Sequence, residues 1–557
     1  MSETSFVSPD YLFEVSWEVC NKVGGIHTVI ATKALNLSKE YKNHILIGPD
    51  VWRETQQNPE FTEDNQLLRA WRVKASQDGL RIRVGRWNVA GAPVVILVDF
   101  SQYIPSKDEI FAKFWESNKV DSLSGHWDYT ESALFGYATG KVIESFVKFN
   151  LAPHHKAVAQ FHEWMTGAGI LYLKSTKLPV ATVFTTHATV TGRSVAGNNL
   201  PLYDKMTEYS PEEKAREFNI ISKHTLEKAS AQEADVFTTV SGITARECKH
   251  FLGKEVDVIT PNGFENTFTP KEGEFKICAK TARKKLNEVA SLMTGQEIDQ
   301  NAIMIGISGR YEYKNKGIDI YLDAISKLNS IKDLEKEVLA WIFVPAWHNG
   351  PDKNLLPNSN SGDYTTQTTH MLYEPDNDPV LKKIKELFLL NKKSDKVKVL
   401  FVPSYLNGDD GIFGLTYYQL LCGLDLTVFP SYYEPWGYTP LESLAFGVQT
   451  ITTTLAGFGL WVKEHSADYG DAIEIIFRDD SNYDYVTEMV FQRMLTVTRL
   501  SKEESLERIL KCKEVSKIAL WDNQIKFYKE AYSLAIERVI LRKGVFPVNQ
   551  DHKEIGR

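Results

Sequence analysis

The segment Phe429-Pro430-Ser431-Tyr432-Tyr433-Glu434-Pro435-Trp436-Gly437-Tyr438-Thr439-Pro440-Leu441-Glu442-Ser443 concentrates more candidate chemistry than any other stretch of the chain. Thr439, Pro440 and Glu442 read as a helix start: an N-cap, a proline at the first helical position, and a carboxylate closing a capping box. That reading accounts for Glu442 structurally. It also turns helix N–H groups and the positive end of the helix dipole toward any anion placed beside them. Glu434 has no such structural task. In a rigid aromatic-Pro-Gly loop between strand and helix, a carboxylate is better suited to contacting a ligand than to holding a fold.

Three further stretches bear reactive or charge-stabilising groups. Ile307-Ser308-Gly309-Arg310-Tyr311-Glu312-Tyr313-Lys314-Asn315-Lys316-Gly317 sets Arg310, Lys314 and Lys316 after an expected strand. A guanidinium fork beside a compact ammonium suits a diphosphate, and a solvated basic loop is the plainer alternative. In Phe184-Thr185-Thr186-His187-Ala188-Thr189-Val190-Thr191-Gly192-Arg193, His187 falls at the carboxyl end of a strand, with Arg193 six residues on. A lone histidine there is as a rule a hydrogen-bonded structural residue. In Phe161-His162-Glu163-Trp164, the glutamate could simply cap the next helix. Near the start, Asn21-Lys22-Val23-Gly24-Gly25-Ile26 follows a short apolar strand, so the amides of Gly24 and Gly25 can approach an anion. A tight turn that needs a positive φ explains the same glycines.

These residues must be positioned by strands, and short β-branched runs recur to supply them. Val94–Val98, Val180–Thr185, Val236–Val240 and Val256–Ile259 lie in the first half. Ala302–Ile307, Trp341–Val344, Val397–Val402, Leu426–Phe429 and Ile451–Thr453 lie in the second. Each precedes a helical pattern, so two doubly wound parallel sheets are expected, with ligands beyond their carboxyl ends and a cleft between them. The polar stretch Phe268–Gly273 places a hinge near 270–300. The expected domains are residues 1–275, 276–520, and a C-terminal helical segment 521–557 packing back on the first. Asn349–Asp378, crowded with Pro, Asn, Ser, Thr and Gly, reads as a surface loop. Ser501–Lys543 reads as one or two amphipathic helices.

Composition removes several function classes. The 557 residues carry 64 Lys+Arg against 72 Asp+Glu, a net charge of −8, which argues against nucleic acid as a partner. Cys20, Cys248, Cys278, Cys422 and Cys512 are odd in number, scattered and in no CxxC pair, as expected of cytoplasmic thiols. Met1-Ser2-Glu3-Thr4-Ser5 lacks a basic leader, and no apolar run reaches the roughly 18 residues of a membrane helix. The first strand-to-helix turn lacks GxGxxG, which disfavours a nicotinamide dehydrogenase.

The run Ser431-Tyr432-Tyr433-Glu434-Pro435-Trp436-Gly437-Tyr438-Thr439-Pro440 resembles the signature of the animal and fungal type of glycogen synthase, retaining glycosyltransferases of family 3. The likeness continues through Asn21–Ile26, Gln160–Trp164, Thr185–Thr189, Thr260-Pro261-Asn262-Gly263 and Gly309–Glu312, in fixed order over residues 11–545. It implies the GT-B fold, α/β with two Rossmann-like domains facing a cleft. It implies transfer of glucose from UDP-glucose to the 4-hydroxyl end of an α-1,4-glucan such as glycogen, with retention, no metal, no cofactor and no membrane. Glu434, Glu442 and His187 are implied as catalytic. Lys22, Gly24, Gly25, Glu163, Arg193, Asn262, Arg310, Lys316, Tyr417, Trp436, Gly437 and Thr439 are implied as donor contacts, with Arg310 and Lys316 on the diphosphate and Tyr417 stacked on the base. A homo-oligomer, a tetramer, follows from the same likeness, as does front-side attack rather than double displacement.

Departures from the family pattern matter too. The chain starts near its first strand and ends soon after its last helix, so phosphorylated serine-rich tails are not expected. Ser505–Glu514 offers one Arg, two Lys and two Glu where the family has an arginine-rich sensor of glucose 6-phosphate, and reads as a solvated helix face. A compact, bacterial-style member without strong sugar-phosphate activation is expected. The competing readings are an ADP-glucose synthase of the starch type, a transferase with a small acceptor, and a catalytically silent glucan-binding protein.

Overall fold

In the computed structural model, which describes residues 6–52, 58–356 and 364–543, every apolar run named above becomes or overlaps a strand. The first nine are β1 Tyr11–Val15, β2 His44–Pro49, β3 Phe61–Glu63, β4 Ile82–Trp87, β5 Val94–Val98, β6 Ala157–His162, β7 Val180–Thr186, β8 Val236–Thr239 and β9 Val258–Ile259. They form one sheet in the order β3-β4-β5-β2-β1-β6-β7-β8-β9. Pairing is parallel from β5 to β9 and antiparallel at the β3-β4-β5 edge. The strand order reverses direction between β1 and β6.

The remaining strands are β10 Ile303–Ser308, β11 Val338–Phe343, β12 His348–Pro351, β13 His370–Leu372, β14 Val397–Val402, β15 Leu426–Val428, β16 Gln449–Thr453 and β17 Ile473–Ile476. Six of them form an all-parallel sheet, β14-β11-β10-β15-β16-β17, whose order reverses between β10 and β15. Strands β6, β7, β10, β11 and β14 are buried along their whole length, which is why all but β6, with its Gln160 and His162, read as largely apolar runs rather than alternating ones. Strand β4, Ile82-Arg83-Val84-Gly85-Arg86-Trp87, one in from the edge strand β3, mixes charged and apolar positions and gave no such run.

Packing divides the chain into two units. One takes its described residues from Met1–Val195, Lys205–Glu265 and Leu520–Arg557, the other from Ala196–Asp204 and Asn266–Ala519. Phe13, Val15, Ile45, Phe135, Phe146 and Phe184 lie in the core of the first; Ile305, Ile320, Ile325, Val399 and Ile451 lie in that of the second. The C-terminal helix Trp521–Lys543 belongs to the first unit and lies on β6, β7 and β8. Tyr532 donates to Gln160 Oε1 at 2.6 Å, and Trp521 Nε1 to Thr32 Oγ1 at 2.8 Å.

Two local expectations need correction. The segment expected as a hinge is largely the helix Glu272–Thr294, ended by Gly295 at φ +63°. The loop expected over Asn349–Asp378 carries an antiparallel ribbon of β12 and β13, with residues 357–363 outside the described ones. The tail agrees with the expected one or two helices: Lys502–Ser516 precedes Trp521–Lys543. The N-terminal Met1–Ser5 and the stretch 544–557 also lie outside the described residues. Among the described residues no helix is long and apolar enough to cross a membrane.

Candidate active site

In an open parallel sheet, the crevice for a ligand forms where strand order reverses, beyond the carboxyl ends of the two diverging strands. In the first unit those strands are β1 and β6. The loop after β1 leads into helix Gly25–Glu40, and the carboxylate of Glu18 accepts the N–H of Gly24 at 2.6 Å and of His27 at 3.0 Å. One of the two amides expected to hold a ligand anion, that of Gly24, is thus engaged by the protein's own anion. Gly24 sits at φ −150°, an extended conformation, so the expected positive φ is absent. Glycine serves there by proximity: a Cβ would lie 3.2 Å from Glu18 Oε1, whereas one on Gly25 would meet nothing within 4 Å. Lys22 is exposed beside them.

After β6, Glu163 adopts φ +67° and ψ 164°, a conformation close to glycine-only. It makes no capping bond to the turn Trp164–Thr166, which overturns the capping reading. Instead its Oε1 accepts the N–H groups of His187 at 2.9 Å and Ala188 at 3.1 Å. Two further carboxylates grip the same loop. Glu227 accepts the N–H of Val190 at 3.0 Å, and Glu247 the hydroxyl of Thr189 at 2.7 Å. Burial raises Glu163 to about 6 against the pull of Arg193, and burial with the Glu163 charge pushes Glu227 well above the carboxylate range. Arg193 stands exposed on helix Val190–Gly197.

His187 ends a buried polar chain. Its Nε2 lies 2.9 Å from His162 Nδ1, and His162 Nε2 lies 2.9 Å from Glu14 Oε1. Glu14 also meets Lys33 Nζ at 2.5 Å and His44 Nε2 at 3.1 Å, with Glu14 and Lys33 fully buried. Burial works to raise Glu14, but Lys33 and the two imidazoles outweigh it and hold the carboxyl well below its usual range. Burial lowers both His162 and His187, so both rings are neutral at neutral pH. A neutral His162 that donates to the carboxylate through Nε2 must accept at Nδ1, so His187 donates through Nε2. That bond fixes the tautomer and ring plane of His187. Asn262, past β9, is 5% exposed, and its Oδ1 has no hydrogen-bond donor among the described residues.

In the second unit the reversal lies between β10 and β15, whose outgoing loops carry Arg310 and Lys316 on one side and Glu434 on the other. The two loops are stitched by Asn315, whose carbonyl accepts the N–H of Tyr432 at 2.8 Å and of Tyr433 at 3.3 Å. Gly317 permits the approach: at φ +71°, a Cβ there would lie 2.3 Å from the Pro430 carbonyl oxygen. Lys316 Nζ bonds directly to Glu434 Oε2, both side chains being largely buried. The cation expected on the phosphates and the carboxylate expected at the sugar therefore pair with each other. Arg310 is 62% exposed and pairs with Glu312 at 2.7 Å instead.

Helix Tyr438–Ala445 has its N-cap at Gly437, two residues before the expected N-cap Thr439, because Gly437 adopts φ +105° and turns the chain into the helix. Glu442 consequently closes no capping box. It is 8% exposed and accepts the hydroxyl of Tyr418 at 2.8 Å. Burial pushes its pKa up to about 7, against the lowering effect of that bond. Tyr417, half-buried, shares a 2.7 Å hydrogen bond with Ser308 Oγ. Trp436 is buried against Phe458 and Trp461, so its side chain holds the loop rather than standing open to a ligand. The backbone does the same: Gly457 donates to the Glu434 carbonyl at 3.1 Å, and Phe458 to that of Trp436 at 2.7 Å.

Glu14, Glu18, Lys33, Glu227, Glu247 and Tyr418 were missed as contributors. A signal did exist for Lys33, which falls on the apolar stripe of Val29, Ile30, Ala34 and Leu37. The expected solvated helix face at Ser505–Glu514 is instead docked. Arg508 meets Asp471 Oδ2 at 2.8 Å and Gln449 Oε1 at 3.0 Å, and Lys511 meets Asp468 at 2.7 Å.

The family model described as "Glycogen synthase" matches residues 14–360 and 353–554. The liver glycogen [starch] synthase of Rattus norvegicus is 31% identical over 590 residues, covering 95% of this chain and 83% of the relative. Isoform 2 of glycogen [starch] synthase from Saccharomyces cerevisiae is 30% identical over 612 residues, with 95% and 86% covered. Among solved structures, the catalytic domain of starch synthase IV from Arabidopsis thaliana, bound to ADP and acarbose, aligns with a TM-score of 0.56 at 14% identity. That alignment covers 95% of this chain and all of the other, and at such identity it speaks for the GT-B fold alone. With the family match running through most of the sequence and relatives of this identity and coverage, the chain belongs to the glycogen synthase family.

Proposed function

We propose that this chain is a retaining glucosyltransferase that moves glucose from UDP-glucose to the non-reducing 4-hydroxyl ends of an α-1,4-glucan. The observation that carries the reading is the placement of Lys316 and Glu434 together at the strand-order reversal of the second sheet. Breaking the anomeric C–O bond builds negative charge on the departing diphosphate and positive charge on the sugar. Lys316, Arg310 and the first-turn amides around Thr439 serve the diphosphate. Glu434 attends the glucosyl ring, and arrival of the donor exchanges the Lys316–Glu434 pair for two substrate contacts.

Tyr417 takes the nucleobase and Glu442 the donor, with Gly437 shaping the turn. In the first unit, His187 and Arg193 take the sugar and its phosphate, with Glu163 holding the His187 loop. Lys22, Gly24, Gly25 and Asn262 complete the donor contacts. Front-side attack within an ion pair accounts for retention, Glu434 stabilising charge rather than acting as nucleophile. A cytoplasmic location is supported by five cysteines that are free thiols. A homo-oligomer, a tetramer, follows from the family likeness.

The deciding experiment compares glucose transfer from UDP-glucose and ADP-glucose, with and without glycogen. Polymer-dependent transfer from UDP-glucose, with an α-1,4 product, is the expected result. Preference for ADP-glucose would change the donor, transfer without polymer would change the acceptor, and donor binding without turnover would point to the silent glucan-binding reading.

A further inference from the structure

Two of the five cysteines, 144 positions apart in the chain, have their sulfurs side by side: Cys278 Sγ and Cys422 Sγ are 2.7 Å from each other. That lies between a non-bonded sulfur contact and the roughly 2.05 Å of a disulfide bond. Cys278 sits on helix Glu272–Thr294, and Cys422 closes the short helix Tyr417–Leu421. The two helices are already fastened independently of the thiols. Arg283 donates to the Gly423 carbonyl at 3.1 Å, and a Cβ on Gly423 would lie 2.9 Å from that of Ala282. The backbone therefore keeps the sulfurs together whether or not they are bonded.

Access is unequal. Cys278 is half-buried and lines a cavity of about 290 Å³ with Ile277, Thr281 and Gln419, whereas Cys422 is 4% exposed. Burial pushes the Cys422 thiol up, so it is the less ready of the two to meet an oxidant from solution. Cys20, Cys248 and Cys512 are all buried.

We propose that Cys278 and Cys422 form a reversible disulfide when the protein meets a peroxide. The thiolate of Cys278 attacks one peroxide oxygen, the O–O bond breaks, and a sulfenic acid and water result. The sulfur of Cys422 then attacks the sulfenic sulfur, its proton leaves with the hydroxyl as a second water, and the S–S bond closes. Two thiols are oxidised and one peroxide is reduced to two waters. A dithiol reverses the reaction by exchange. The bond ties helix Glu272–Thr294 to the turn that bears Tyr417 and Tyr418, and both S–H donations, to the carbonyls of Gln419 and Tyr418, are lost on closure.

The test uses the full chain, reduced with dithiothreitol, desalted, treated with a small excess of hydrogen peroxide, and then denatured with an alkylating agent. Thiols should fall from five to three, and digestion without reductant should release one peptide pair joined between Cys278 and Cys422. Dithiothreitol should restore all five. Cys278→Ser should abolish the joined pair, and Cys422→Ala should leave a Cys278 sulfenic acid that dimedone traps. Recovery of both cysteines as separate alkylated peptides from treated wild-type protein would overturn the proposal, as would Cys278 sulfinic acid without a cross-link. The wild-type arm needs no variant to fold and no glucosyl transfer, so its outcome is independent of the proposed activity.

Discussion

Lys316 and Glu434 form an ion pair across two loops that leave adjacent strands of the second sheet, and their side chains are 14% and 15% exposed. A pair so enclosed has little water to fall back on when one partner is removed. On the proposed function, each partner is held for the moment at which a charged substrate replaces the other. Glu434→Gln should lower turnover by two or more orders of magnitude, about 3 kcal/mol on the scale of a lost electrostatic contact. Lys316→Met should cost about a hundredfold on the same scale. Because each single change leaves the other member's charge unpaired, the double variant should fall well short of the product of the two losses. Steady-state kinetics on all four proteins give the cycle, and strictly multiplicative losses would refute the coupling.

Glu14 and Lys33 make a second test, of stability rather than turnover. Both are fully buried, with the ammonium 2.5 Å from the carboxylate and 4.2 Å above the ring of Tyr528. Lys33→Met leaves a dry carboxylate with only imidazole donors, and should cost about 3–5 kcal/mol. Combining it with Glu14→Gln removes both charges and should recover most of that loss. Guanidinium unfolding midpoints measure the difference, and a double variant as unstable as Lys33→Met alone would refute the pairing as the source.

Strand content was legible because the central strands are buried, so Val94–Val98 is uniformly apolar, Val397–Val402 is apolar but for Lys398, and the two match β5 and β14 end to end. Helix starts were less so. The sequence Thr439-Pro440-Leu441-Glu442 satisfies a capping-box pattern, yet Gly437 at φ +105° begins the helix sooner and frees the carboxylate for Tyr418. The grip of Glu163 on the His187 loop was not legible either, since it depends on a backbone conformation at Glu163 that no side-chain pattern announces. The neighbours Cys278 and Cys422, separated in sequence by three strands of the second unit's sheet, show the same limit: long-range proximity leaves no local trace.

Arg508 and Lys511 bear on regulation. A helix that senses a sugar phosphate needs cations it can offer, whereas here Arg508 is bound to Asp471 and Gln449, and Lys511 to Asp468. Arg493 is likewise engaged, at 3.3 Å from Asp471 and 3.1 Å from Gln449. Glucose 6-phosphate should accordingly change the rate by less than the roughly fivefold that marks the low end of allosteric coupling. A titration of transfer rate against glucose 6-phosphate checks this, and Asp471→Ala, which takes the paired carboxylate from both arginines, should be the more responsive protein.

Glu442 links the site to pH. Burial moves its pKa from the ordinary 4.5 to about 7, so the folded chain binds a proton that the unfolded chain has released anywhere between those values. Stability tied to this group is therefore complete below pH 4.5 and is lost as pH rises through 7. Glu442→Gln escapes that loss. The stability gap between variant and wild type should shift in the variant's favour by roughly 3 kcal/mol from acid to mildly alkaline pH, following the span of the titration. Denaturant unfolding at the two ends measures it, and a gap that does not move would mean the carboxyl titrates normally. Tyr418 sharpens the test, since its hydroxyl donates to Glu442 and lowers the pKa. Tyr418→Phe should push the carboxyl higher still, carrying the upper edge of the stability loss, and any activity limb set by Glu442, to more alkaline pH.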